Sequence, residues 1–123
     1  PYLLMEFIIP GKRAQFFWED FGEKLGDLHR VTHETYGFYH QNYIGALKQF
    51  NEPEETWIDF FIKKRILPQL KLAQSKKLIA TNTISKFEKL FEKLPEIFTE
   101  EKPGLLHGDL WSGNVMTDAK GYA

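Results

Sequence analysis

His107, Asp109 and Asn114 stand close together in the stretch Leu105-Leu106-His107-Gly108-Asp109-Leu110-Trp111-Ser112-Gly113-Asn114-Val115. Their types and spacing suggest a chemistry. A carboxylate beside an acceptor hydroxyl can orient it and take its proton as a new bond develops. An amide oxygen is a hard, neutral ligand for a Mg²⁺ ion on phosphates. A loop that turns back between Asp109 and Asn114 can place both side chains in one cleft, as phosphoryl transfer requires. The competing reading is an irregular turn with an incidental Asp and Asn, because so loose a pattern also arises by chance.

The elements around this loop have to position it. Leu105 and Leu106 lead in, and Val115-Met116-Thr117 followed by Asp118-Ala119-Lys120-Gly121 reads as a strand and hairpin turn leading out. The catalytic loop with its flanks covers 105–117. Tyr2 to Ile9 reads as a buried strand. Pro10-Gly11-Lys12-Arg13 is turn material. A helix is expected from Ala14 to His33, with Phe17, Phe21, Leu25 and Leu28 on one face. Gly22 and Gly26 inside it each cost about 1 kcal/mol against Ala, which suggests a closely packed neighbour. Glu34 to Pro53 has no clear period and reads as a long irregular loop. Pro53-Glu54-Glu55 opens a second helix with a wide apolar face, kinked or ended by Pro68. A third helix runs from Thr83 to Leu94. The cluster Phe16, Phe17, Trp18 and Phe21 reads as core. His29 and His33 are four apart, yet without an H-E-x-x-H pattern they read as helix histidines rather than metal ligands.

Composition narrows the class. Hydrophobic residues are 42% of the 123 and charged residues 27%, the balance of a globular domain with one core. The net charge of −1 and the lack of a long basic run argue against nucleic acid as a partner. No apolar stretch approaches the length of a membrane span, so no membrane partner is expected. There is no cysteine, which allows a reducing compartment, and a cytoplasmic address is the expectation. The apolar run at the first residues and the turn at the last ones suggest that further residues belong on both sides.

H-x-D with Asn five residues after the Asp is the arrangement of the protein-kinase catalytic loop. Leu106-His107-Gly108-Asp109-Leu110-Trp111-Ser112-Gly113-Asn114 resembles, more specifically, the signature of the fructosamine (ketosamine) kinases, relatives of aminoglycoside phosphotransferases and choline kinases. Leu110 to Gly113 is the part specific to that family. Leu4-Met5-Glu6-Phe7, Leu25-Gly26-Asp27-Leu28-His29, Tyr36-Gly37-Phe38, Tyr43-Ile44-Gly45, and Trp57 with Phe60-Phe61, Arg65 and Pro68-Gln69 are similar to further family segments, in family order.

The resemblance implies an α+β, protein-kinase-like fold. Residues 1–9 would be the last small-lobe strand and hinge, and 10–123 a partial, mainly helical large lobe. It implies ATP-dependent phosphorylation of a sugar hydroxyl on a small-molecule or protein-bound ketoamine, a deglycation repair, with ATP and Mg²⁺ as cofactors. Asp109 would be the catalytic base, Asn114 the Mg²⁺ ligand and His107 a holder of the loop. Trp111 would stack on the sugar or pack against the lobe. Met5, Glu6, Phe7 and Ile8 would border adenine, largely through backbone groups. The phosphate-covering loop, its Lys and a second metal-binding Asp have no counterpart in these residues, so the fragment alone is expected to be inactive. Two rivals remain: a kinase of another small alcohol, aminoglycoside- or choline-kinase-like, and a non-catalytic kinase-like binding domain. The kinase reading expects Asp109 and Asn114 to converge.

Overall fold

The computed structural model describes residues 2–122. It is a mixed helix and strand structure that divides into two units, Pro1–Thr32 with Gly104–Ala123, and His33–Pro103.

In the first unit the helix α1 spans Phe17–His29. Phe17 is fully buried, with the Phe21 ring stacked at 6.2 Å and the Trp18 ring edge-on at 5.0 Å. The Arg13 guanidinium lies over both Phe17 and Trp18. Of the expected aromatic core, Phe17 alone is enclosed, since Phe16 and Trp18 are exposed. The helix is shorter than the apolar period suggested, for a reason visible at each end. At its start the Ala14 carbonyl accepts from the Phe17 N–H at 3.2 Å in a tight turn ahead of the helix, and the Ala14 N–H is anchored on the Gly121 carbonyl at 3.0 Å. At the other end the Val31 carbonyl accepts from the Leu105 N–H at 2.8 Å, and Thr32 bridges Gly104. Among the described residues no neighbouring element packs against the two helix glycines. A Cβ on Gly22 would meet nothing within 4 Å, and one on Gly26 only the Arg30 side chain.

Residues 2–9 form no strand, against expectation. A strand exists only through hydrogen bonds to a neighbouring strand. Among the described residues none pairs with this segment, and Tyr2, Leu3, Leu4, Met5 and Phe7 are exposed. From Gly11 onward the chain is anchored, since the Gly11 N–H donates to the Thr117 carbonyl at 3.0 Å. The expected turn after the loop is present, although no strand leads into it. The Asp118 carboxylate accepts from the N–H groups of Lys120 and Tyr122 at 2.9 and 3.0 Å, and Gly121 takes a φ of +93° there.

In the second unit, β1 (Asn42–Ile44) and β2 (Leu47–Gln49) form an antiparallel hairpin that pairs Asn42 with Gln49 and Ile44 with Leu47. Gly45 turns it at φ +57°. The sequence reading missed this hairpin because its strands are too short to show alternation. The second helix starts later than Pro53. Tyr36 and Glu54 exchange both backbone hydrogen bonds at 2.9 Å, which keeps Pro53–Glu55 out of the helix. Thr56 then caps it, its hydroxyl accepting from the Asp59 N–H at 3.1 Å.

The first half of this helix ends just before Pro68, as expected, although the chain stays helical through it. α2 (Trp57–Phe60) passes into a π-helical stretch, Phe61–Ile66, before α3 (Leu67–Ser75). A proline crowds the carbonyl four residues back and offers it no N–H. Here that carbonyl belongs to Lys64, and it accepts instead from Arg65 Nη1 at 3.2 Å. α4 (Thr81–Ile97) runs past the expected Leu94 with Pro95 in its final turn. Phe60, Leu70 and Leu94 are buried. Trp57 stacks on Phe61 at 5.4 Å and meets Phe98 edge-on at 6.4 Å.

The polar centre of this unit is Asn51, 1% exposed. Its Nδ2 donates to the His40 carbonyl and to Asn42 Oδ1, both at 2.8 Å. Its Oδ1 accepts from Arg65 Nη2 at 2.7 Å, and Arg65 Nη1 donates to the Phe50 carbonyl at 2.6 Å. The Asn51 carbonyl accepts from Phe38 and lies 2.8 Å from where a Cβ on Gly37 would sit, so Gly37 must be glycine. The Arg65 guanidinium lies 4.5 Å over the Phe60 ring, and burial pushes its pKa down.

Two outcomes follow. Asn51→Ala strands the half-buried guanidinium and the His40 carbonyl, and should cost about 2–4 kcal/mol of stability, read as a lowered urea midpoint of the full-length protein. Asp118 has its pKa held below the usual 3.8, first by its hydrogen bond from the Tyr122 backbone and then by those from Lys120 and Gly121. A depressed carboxylate pKa stabilises the fold fully above the unfolded value, and that contribution is lost as pH falls through the folded one. The amide resonances of Lys120 and Tyr122 should therefore titrate below pH 3.8 in the wild type. They should stay flat in Asp118→Asn.

Candidate active site

The loop is held at both ends within the first unit. It enters through the Leu105–Val31 hydrogen bond, after Gly104 has passed so close to α1 that a Cβ there would sit 2.9 Å from the His29 carbonyl oxygen. It leaves through the Thr117–Gly11 bond. Between these anchors Gly108 takes a φ of +81°, a conformation that side-chain-bearing residues avoid. The reversal there sets the Asp109 N–H against His107 Nδ1, at 3.4 Å. His107 Nδ1 is the acceptor in this contact, and its ring braces the turn.

Ser112–Asn114 form one turn of 3₁₀ helix, closed by the Asn114 N–H on the Trp111 carbonyl at 2.9 Å. Small residues and an Asn suit such a turn. It carries Asn114 back over Asp109. Asn114 Nδ2 donates to the Asp109 backbone oxygen at 2.8 Å and to Asp109 Oδ2 at 2.9 Å. Only the amino end of an amide can face two acceptors, so the Asn114 carbonyl oxygen must point the other way.

Both side chains are exposed, and Asp109 Oδ1 has no hydrogen-bond partner among the described residues. The loop therefore offers one carboxylate oxygen and one amide oxygen to whatever binds. The amide oxygen is a hard donor of the kind Mg²⁺ takes, and one protein ligand can suffice for an ion that completes its shell with water and phosphate oxygens. The residues present thus fit the metal that the loop pattern implies.

Trp111, 60% exposed, lays its ring against Gly113, where a Cβ would fall 2.5 Å from Cζ2 and 2.9 Å from Cζ3. Met5, Glu6, Phe7 and Ile8 make no hydrogen bond to the loop among the described residues. His29 and His33 are not successive turns of one helix, because α1 ends at His29. His33 Nδ1 instead lies 3.3 Å from Thr35 atoms. No group of three His, Asp or Glu side chains suited to a metal occurs among the described residues. The structure thus brings Asp109, Asn114 and His107 together through hydrogen bonds. The sequence reading gave Gly108 and Gly113 no part in the site. The signal was available, since two glycines within six residues of a candidate loop mark close approaches or reversed backbone.

This geometry and the order of the family-like segments agree with the comparisons. The sequence model for "Fructosamine kinase" matches residues 1–123, and the chain belongs to that family. It is 41% identical over 123 residues to a "Probable ketoamine kinase" of Enterococcus faecium, covering 98% of this chain and 43% of that one. It is 37% identical over 123 residues to the chloroplastic "Protein-ribulosamine 3-kinase" of Arabidopsis thaliana, covering 95% of this chain and 36% of the relative. The crystal structure of a "putative fructosamine-3-kinase" from Thermobifida fusca superimposes with a TM-score of 0.77 at 33% identity, over 91% of this chain and 39% of that one. The chain therefore spans less than half the length of these relatives.

The backbone at Gly108 yields a direct test. A nearby Cβ would meet nothing within 4 Å, so space does not forbid a side chain there and φ alone does. Gly108→Ala should cost about 1–2 kcal/mol, or flip the turn and release the Asp109 N–H from His107. The Asp109 amide resonance of the full-length protein should move, while that of Asn51 in the other unit should not.

Proposed function

We propose that the protein containing this chain transfers the γ-phosphoryl group of ATP to a sugar hydroxyl of a ketoamine, free or protein-bound. One observation carries the proposal: the Asn114 amide holds one oxygen of Asp109 and leaves the other open, at an exposed loop. The names of the relatives, ketoamine and ribulosamine kinases, supply the substrate class. The fold would be protein-kinase-like, with residues 1–9 as the last small-lobe strand and hinge and 10–123 as part of the large lobe.

In this reading the acceptor hydroxyl rests against Asp109 Oδ1. The hydroxyl oxygen forms a bond to the γ-phosphorus, the bond from that phosphorus to the bridging oxygen breaks, and ADP leaves. The hydroxyl proton passes to Asp109 Oδ1, and the Asn114 hydrogen bond keeps the carboxylate from rotating away. Mg²⁺, when bound, would neutralise charge on the phosphates, and the Asn114 oxygen would hold it. His107 braces the turn. Trp111 offers the open face of its ring to the sugar. The exposed backbone groups of Met5, Glu6, Phe7 and Ile8 would meet adenine. Among the described residues no helix is long and apolar enough to cross a membrane. A cytoplasmic location belongs to the same reading.

Two variants of the full-length protein test these roles. Asp109→Asn keeps the shape and the acceptor oxygen but loses the charge and the basicity. Phosphate transfer from ATP to a fructosyl-amine should fall about 10²–10⁴-fold with the KM for ATP little changed. Asn114→Ala should also slow the reaction, and should in addition raise the Mg²⁺ concentration needed for half-maximal rate. Near-normal turnover by Asp109→Asn would remove Asp109 from the mechanism.

A further inference from the structure

We propose that Gly113 is a positioning residue. Its missing side chain is the seat of the Trp111 indole, and that seat fixes the ring as a wall of the acceptor space beside Asp109. The wall role rests on the kinase reading above, while the seat does not.

The loop has two glycines that are glycine for opposite reasons. Gly108 has a left-handed backbone and open space where a Cβ would go. Gly113 has the reverse. It lies in the 3₁₀ turn and is not among the residues of positive φ, so its backbone would accept alanine. What excludes a side chain there is the Trp111 ring, with Cζ2 at 2.5 Å, Cζ3 at 2.9 Å and Cη2 closer still to an added Cβ. An aromatic ring is rigid across its width and cannot yield as the end of a Lys could. A methyl group at 113 must therefore turn the whole indole.

The Asp109–Asn114 pair does not depend on that ring. It is held by its own hydrogen bonds, and the turn by the Asn114 N–H on the Trp111 backbone carbonyl. Turning the indole should move the wall and leave the carboxylate and the amide in place. With 60% of Trp111 exposed, the ring is half-covered by its own loop and open on the remainder. An open aromatic face of fixed orientation suits the C–H face of a sugar ring.

The test uses full-length protein labelled with 5-fluorotryptophan, the Trp111 resonance being assigned with Trp111→Phe. Gly113→Ala should shift that ¹⁹F resonance without any substrate present. In the kinase assay it should raise the KM for a fructosyl-amine about 3–10-fold, the scale of one lost ring contact, with the KM for ATP unchanged. In a Trp111→Ala background, Gly113→Ala should be silent in both parameters. An unmoved resonance overturns the seat, and a rise in KM that persists without the indole overturns the wall. Wild-type protein inert toward every ketoamine would sink the kinase reading and the wall together, while the ¹⁹F shift still decides the seat. Should Gly113→Ala fail to fold, rescue by Trp111→Ala supports the seat, and failure of the double variant overturns it.

Discussion

An amide side chain has one donor end and one acceptor end, and at Asn114 the donor end is committed to Asp109. That commitment fixes much of the site. It keeps one carboxylate oxygen engaged and the other open, and it turns the Asn114 oxygen outward. It also requires the chain to double back within five residues, which the 3₁₀ turn at Ser112–Asn114 provides. A longer loop would allow the same contact but hold it less firmly, since each added residue must be ordered at a cost of about 1–2 kcal/mol.

The second unit is organised around another asparagine with the same logic at greater depth. Asn51 is enclosed, so each of its polar atoms needs a partner. It finds them in His40, Asn42 and Arg65, with its own N–H donating to Gln41 Oε1 at 2.9 Å. Those partners tie the irregular chain before the hairpin to the helix that carries Arg65. The arginine does a second task where it leaves that helix, by satisfying the Lys64 carbonyl that Pro68 leaves without a donor. The π-helical stretch is thus linked by one side chain to the buried amide. Outside this hub, Lys63 and Lys64 pair with Glu54, and Lys64 also with Glu52. The Lys63 ammonium holds the Glu54 carboxyl pKa below its ordinary value. The Lys63–Glu54 and Lys64–Glu52 pairs each have one exposed partner, whereas Lys64 and Glu54 are both half-buried.

Residues 2–9 show what a family pattern can and cannot say about a local conformation. Their composition reads as a buried strand, and in this structure they are exposed apart from the half-buried Ile8, with no backbone pairing among the described residues. An apolar run states only that the segment prefers to be covered. Whether it becomes a strand depends on a second set of backbone groups at 4.7–4.9 Å, which the run itself does not contain. The relatives are more than twice as long as the chain, so most of the family's sequence lies outside the 123 residues.

The sequence by itself determined the family, that Asp109 and Asn114 share one loop, and which segments are helical. The H-x-D-x₄-N spacing and the Leu-Trp-Ser-Gly between Asp109 and Asn114 are covalent facts. Helical periods survive in sequence because each turn is bonded within the segment. What depends on partners far along the chain had to come from the tertiary structure. The end of α1 was decided by the Leu105 N–H on the Val31 carbonyl, and the start of α2 by the pairing of Tyr36 with Glu54. The chain stays helical through Pro68 by way of the π-helical stretch before it, with Arg65, held by Asn51, donating to the Lys64 carbonyl. Whether a glycine is needed for its φ, as at Gly108, or for its lack of bulk, as at Gly113, is decided by the backbone around it and by the ring laid against it. One-letter spacing records neither.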